Sequence, residues 1–136
     1  MEFAKSFKSS GKPGKQRLYV YKAPLHVRSA MLCAHLSKEL RQKLKRRSLR
    51  VRIGDKVVVM IGQYKKKSGK VEAVDVGTQR VYITGIDRSR KDGSKAQYPF
   101  NPSNLVITDL GSEDKMRLKT RNAPAQAQPA KKGESR

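Results

Sequence analysis

A net charge of +21 on 136 residues leaves this chain little freedom to fold as an isolated compact body. Like charges at that density repel one another on collapse, and a polyanionic partner offsets the repulsion. The charge is also unevenly spread. Residues 1–52 carry 15 basic and 2 acidic side chains, residues 53–110 carry 10 and 6, and residues 111–136 carry 7 and 3. The net values are +13, +4 and +4. The middle stretch, least basic for its length, is the one with strand periodicity. The expectation is therefore one near-neutral folded core bearing strongly basic extensions, within the size of a single domain.

Composition narrows this further. Apolar residues reach 36% and tryptophan is absent, so only part of the chain can pack a core, and the rest needs a partner to order it. Cys33 is the single cysteine, which excludes an internal disulfide and suits a reducing compartment; an inert thiol is expected. No apolar run approaches the roughly 20 residues of a membrane span. Residues 1–15 are polar and rich in Gly, Ser and Lys, without the apolar segment of a secretory signal. A mitochondrial transit peptide fits poorly with Glu2 and the many lysines. The expected location is cytoplasmic, with no membrane partner.

Residues 1–22 read as an extended basic arm. Residues 1–16 hold five serines and glycines around four lysines, too polar to bury. Residues 23–52 read as a basic helical segment. Pro24 is favoured at a helix start, and a first short helix would end near Cys33. Ser37 is a good N-cap for a second helix to about Arg46, with Leu36, Leu40 and Leu44 spaced four apart. Its other faces carry Lys38, Arg41, Lys43, Lys45 and Arg46. Beyond Gly54 the signal changes to strands at residues 56–61, 70–76, 80–86, 95–100 and 104–110. The loops between them are short, one containing the Asp92-Gly93 turn signal. Five short strands so connected predict a mainly β domain over 53–110, closed as a small barrel or roll. Residues 111–136 read as a short helix to about Arg121 followed by a low-complexity tail.

One unit carries most of the functional information: Ile53-Gly54-Asp55-Lys56-Val57-Val58-Val59-Met60-Ile61-Gly62, a basic loop, then Gly69-Lys70-Val71. Gly62 and Gly69 permit positive φ or a close backbone approach. Between them Tyr64, Lys65, Lys66 and Lys67 present one aromatic ring and three cations at a tip. Phosphates attract the ammonium groups, and an unstacked base can stack on the tyrosine. This unit resembles a KOW motif, a hairpin of SH3-like barrels in several nucleic-acid-binding families.

The wider pattern adds Tyr21-Lys22-Ala23-Pro24-Leu25-His26-Val27-Arg28, Leu36-Ser37-Lys38-Glu39-Leu40-Arg41-Gln42-Lys43, Arg47-Ser48, Arg52 and Asn101-Pro102-Ser103-Asn104-Leu105-Val106-Ile107-Thr108. In this order they resemble the universal large-subunit ribosomal protein family numbered twenty-four in bacteria and twenty-six in archaea and eukaryotes. The likeness covers about residues 15–118 and leans to the archaeal and eukaryotic branch. It implies a five-stranded SH3-like barrel, a role in large-subunit assembly near the peptide exit tunnel, and ribosomal RNA with neighbouring ribosomal proteins as partners. It also implies passage through the nucleolus if the source is eukaryotic. Two positions depart from the family pattern. Lys66 stands where the family usually has Gly, and Asn101 where it commonly has His.

The cations expected to meet RNA are Lys15 and Arg17 in the arm, Arg28, Lys38 and Arg41 in the helical segment, and Arg46, Arg47, Arg50 and Arg52 beyond it. Within the β domain they are Lys65, Lys66, Lys67, Lys70, Arg88, Arg90 and Lys91, with Tyr64 as the stacking residue. The competing readings are plainer. The 65–67 loop can be a solvated turn, and the arginine cluster can be a nuclear-import address. His26 and His35 lack the further ligands that zinc requires. Asp55 has no second acid, histidine or nucleophile beside it, so it is expected to shape the strand entry. No acid/base pair or activated nucleophile is visible, which argues against an enzyme. No cofactor or small-molecule substrate is expected. The alternative function is a KOW-containing transcription or RNA-processing factor, although such factors usually join the motif to a separate folded domain.

Overall fold

The computed structural model describes residues 3–111 and 115–118. The chain runs through a 3-10 turn at Lys5–Ser9, then α1 (Pro13–Lys22), α2 (Leu25–Met31), β1 (Cys33–Leu36), α3 (Lys38–Leu44) and β2 (Ser48–Arg50). It continues with β3 (Lys56–Val59), β4 (Ser68–Asp75), β5 (Arg80–Ile83), β6 (Asp87–Ser89) and β7 (Lys95–Gln97). A 3-10 turn at Pro102–Asn104 leads to β8 (Leu105–Asp109), and α4 (Lys115–Leu118) closes the described part. The fold is mostly sheet with a few short helices.

The main sheet has six strands in the order β2-β1-β8-β3-β4-β5. Alternation decides its inner face. Val57 and Val59 of β3, Val81 and Ile83 of β5, and Leu105 and Ile107 of β8 are buried, with polar or half-buried neighbours between them. Val71 joins them, whereas Val74 is half-buried at the margin of the same cluster. Phe100 is added by a single bridge to Val81, with paired backbone hydrogen bonds of 3.0 and 2.9 Å.

The mainly β expectation holds, while the main sheet is not closed into the expected five-stranded barrel. Residues 95–97 do not extend the main sheet; they pair with Asp87–Ser89 as a separate hairpin. Two strands come instead from the segment read as helical. β1 pairs parallel to β8 and antiparallel to β2. The reason is the free edge of β8, whose Ile107 carbonyl accepts from Ser37 N–H at 2.9 Å. Ala34 and Leu36 alternate inward with period two, so Leu36 belongs to a strand and not to the leucine stripe that follows. Ser37 does cap α3, its hydroxyl accepting from Leu40 N–H at 3.3 Å.

The arm also differs from an extended chain. Pro13 opens α1, and the Gln16 side chain donates to the carbonyls of Phe7 (2.9 Å), Lys8 (3.1 Å) and Ser10 (2.6 Å). None of its ten residues is buried, which is why apolar spacing gave no helical signal there. The end of the expected short helix, residues 119–121, and the expected tail from residue 122 on lie outside the described residues.

Candidate nucleic-acid interface

The β3–β4 connection is a tightly stitched tip. Lys66 N–H donates to Val59 O and Val59 N–H to Lys67 O, each at 2.9 Å, while Lys65 and Lys67 N–H reach Gly62 O and Tyr64 O at 3.1 Å. Gly62 has φ 98° and Lys66 φ 69°, both left-handed. The side chains of Lys65, Lys66 and Lys67 are exposed, so a rigid backbone presents three cations outward. Gly69 serves another purpose. Its φ is ordinary, and a Cβ there would lie 2.5 Å from Ile83 Cγ2 and 2.8 Å from Thr84 O, so it lets β4 and β5 approach.

Lys66, where the family resemblance leads to an expectation of glycine, has a left-handed φ of 69°. An L side chain is strained there and glycine is not. Lys66→Gly is therefore expected to raise stability by about 0.5–1 kcal/mol, and Lys66→Val to lower it. Urea unfolding of the two variants checks the sign.

Tyr64 is half-buried. Its ring centroid lies 4.8 Å from Tyr98 and 5.9 Å from Phe100, and its hydroxyl donates to Asp87 O at 3.3 Å. Lys67 Nζ stands 5.2 Å over the same ring. These contacts tie the tip to the β6–β7 hairpin, whose Arg88, Arg90 and Lys91 are exposed. In the hairpin turn the Ser94 hydroxyl and N–H donate to Asp92, holding that carboxyl below its usual range. Two of the expected basic groups thus share one edge of the molecule.

The other cations are placed elsewhere. Arg28 is committed to backbone: Nε donates to Ala23 O at 2.9 Å, Nη1 to Gly77 O at 2.6 Å, and Nη2 to Tyr21 O. It joins α1 and α2 to the β4–β5 turn. That turn is braced by Asp75, whose carboxyl the Thr78 hydroxyl and the Thr78 and Gly77 N–H groups hold below its usual range. Lys15 lies 5.4 Å over Phe7, and Arg17 is exposed on α1. Lys38 and Arg41 are exposed on α3, with Arg41 donating to Leu36 O at 3.2 Å. Lys70 is exposed on β4.

The 46–52 arginines lie in and beside β2, the sheet edge opposite β5, and so stand apart from the tip. Here sequence reasoning missed a partner. Asp55 is fully buried, accepting from Arg52 N–H (2.9 Å) and Gly111 N–H (3.1 Å). Arg117 of α4 meets it with two hydrogen bonds, at 2.9 and 2.5 Å. The same guanidinium donates to Arg50 O at 2.8 Å, and Arg46 donates to Arg117 O at 3.2 Å. Asp55 does shape the strand entry, but it also pins α4 under the arginine segment. The two residues are 62 apart in sequence, a spacing that carries no local signal.

Among the described residues no group of three or more His, Cys, Asp or Glu side chains is placed to hold a metal ion. Cys33 Sγ donates to Ala30 O at 3.3 Å, and burial pushes its thiol pKa up, which disfavours the nucleophilic thiolate. The site offers cations, amides and aromatic rings on rigid loops, which suits binding a polyanion.

Comparison with known proteins agrees. The sequence model of the family described as "Ribosomal proteins L26 eukaryotic, L24P archaeal" matches residues 10–121. The "Large ribosomal subunit protein uL24" of Methanosphaera stadtmanae is 42% identical over 113 residues, covering 83% of this chain and 97% of that protein. With most of its length matched, the chain belongs to this family of ribosomal proteins.

Proposed function

We propose that the chain is a structural constituent of the large ribosomal subunit that binds ribosomal RNA through its exposed basic loops. The observation that carries this is the chain's net charge of +21 together with the exposed cations that the tip and the hairpin present on hydrogen-bonded loops. Family membership supports it, since the family consists of ribosomal structural proteins and not enzymes. It also favours the ribosome over the regulatory-factor reading. The proposed location is the cytoplasmic ribosome, with nucleolar passage during assembly in a eukaryote. Neighbouring ribosomal proteins, a role in assembly and a seat near the exit tunnel belong to the same proposal. So does an SH3-like roll as the finer description of the sheet, which the Val81–Phe100 bridge supports.

Salt dependence tests the RNA contact. Each phosphate neutralised on a duplex lowers the slope of log K against log[salt] by about 0.9. Six exposed cations at the tip and hairpin, all in contact, give a slope near −5. Titrating a large-subunit RNA fragment with the full chain is expected to show a slope of roughly −4 or steeper. A slope near zero would overturn the phosphate reading.

A further inference from the structure

We propose that the cleft between the 61–64 loop and the 98–104 segment is a pocket for one unpaired RNA nucleobase. The proposal rests on the RNA-binding reading and gives it a contact to a base in addition to phosphates. The cleft has a volume of about 160 Å³, with Tyr64, Tyr98, Phe100, Arg80, Asn101 and Asn104 in its wall. That is below the roughly 300 Å³ at which pockets for drug-sized ligands begin, and it suits a single planar group.

The wall chemistry is that of base recognition. Tyr98 sits 4.8 Å from both Tyr64 and Phe100, inclined by 60° and 58°. The three rings brace one another at an angle, and Tyr64 and Tyr98, each half-buried, keep ring surface for a ligand. Unstacked bases bind by stacking on such rings and by hydrogen bonds along their edges. Asn101 supplies the edge contact. Its Oδ1 accepts from Ser103 N–H at 3.3 Å and Ser103 Oγ at 3.2 Å, which orients the amide and leaves Nδ2 as a donor. Arg80 adds an exposed guanidinium at the mouth.

A basic cleft on the other side of Pro99 offers a place for the backbone. This second cleft, of about 400 Å³, shares Pro99 with the first and runs along Arg88, Ser89, Arg90 and Lys91. A nucleotide with its base between Tyr98 and Asn101 would pass its neighbouring phosphates along these cations. An apolar protein segment has no use for that basic cleft, which is why RNA is the occupant named.

The test uses the full chain with short single strands of oligoadenylate or oligouridylate, and with the annealed duplex of the two. The wild type is expected to bind the single strands more tightly than the duplex. Asn101→Ser keeps an oxygen for the Ser103 N–H and removes the Nδ2 donor, so it should weaken single-strand binding about three- to tenfold. Tyr98→Leu keeps apolar volume and removes the π-face, so a loss of roughly five- to hundredfold is expected. Neither variant alters charge, so both should keep the wild-type salt slope and lose the preference over duplex. If Tyr98→Leu fails to fold, Asn101→Ser alone decides. Wild-type affinity in the variants, alongside a steep wild-type slope, would overturn the pocket and leave the RNA reading standing. Absent or salt-independent wild-type binding would overturn both.

Discussion

Asp55→Ala is expected to cost about 3–5 kcal/mol of folding stability, the range found when one partner of a buried ion pair is removed. Asp55 and the Arg117 side chain are 0% and 2% exposed. The carboxylate receives two hydrogen bonds from Arg117 and two from the backbone N–H groups of Arg52 and Gly111. Truncation leaves a buried guanidinium without its counter-charge and two N–H groups without an acceptor. Gly111 runs close to this turn, since a Cβ there would overlap the Gly54 carbonyl carbon and lie 2.9 Å from Asp55 N. At roughly 2–8 °C per kcal/mol for domains of about this size, the melting temperature should fall by about 6–40 °C. Arg117→Met combined with Asp55→Ala should cost less than the two single losses added together, because the stranded charge is then gone. A single-variant cost below about 1 kcal/mol would mean that the pair is not the anchor of α4.

The second large effect concerns binding. Replacing Lys65, Lys66 and Lys67 together by Ala is expected to lower the salt slope by about 2–3 if all three touch phosphate. Their side chains are exposed and their backbone is held by hydrogen bonds at both ends of the tip, so the variant should fold. Tyr64→Ala should weaken binding by about 1–3 kcal/mol with little change of slope, if its outer face stacks on a base. The same variant should also lower stability, since the ring packs on Tyr98 and Phe100 and its hydroxyl reaches Asp87 O. Its binding must therefore be read at a temperature where it remains folded. A triple variant with unchanged slope and affinity would make the tip a solvated turn.

Strands with strict alternation were legible from sequence. Residues around Val57, Val59, Val81, Ile83 and Ile107 form strands with those side chains buried. The Ser37 cap was legible too, because a cap needs only local chemistry. What was not legible depends on distant partners. Cys33–Leu36 is a strand because β8 offers an edge some seventy residues away, and nothing within four residues says so. α1 lacks an apolar face and is held by Gln16 to three carbonyls. The mainly β expectation holds, but closure of the sheet is not seen: residues 95–97 pair locally with 87–89, and Phe100 alone bridges to Val81. For the candidate site, the exposure of the lysine tip followed from its composition. Its contact with the β6–β7 hairpin did not, since that contact runs through Tyr64 and Asp87 O.

Sedimentation tests the central claim most directly. The tagged chain, expressed in its own cells or a near relative, is followed through a sucrose gradient at physiological and then high salt. It is expected to migrate with the large subunit in one-to-one amount at physiological salt and to be stripped progressively as salt rises, as a phosphate-bound scaffold must be. A chain that stays at the top of the gradient at physiological salt, or migrates with large subunits far below one-to-one amount, would contradict a structural place in the large subunit.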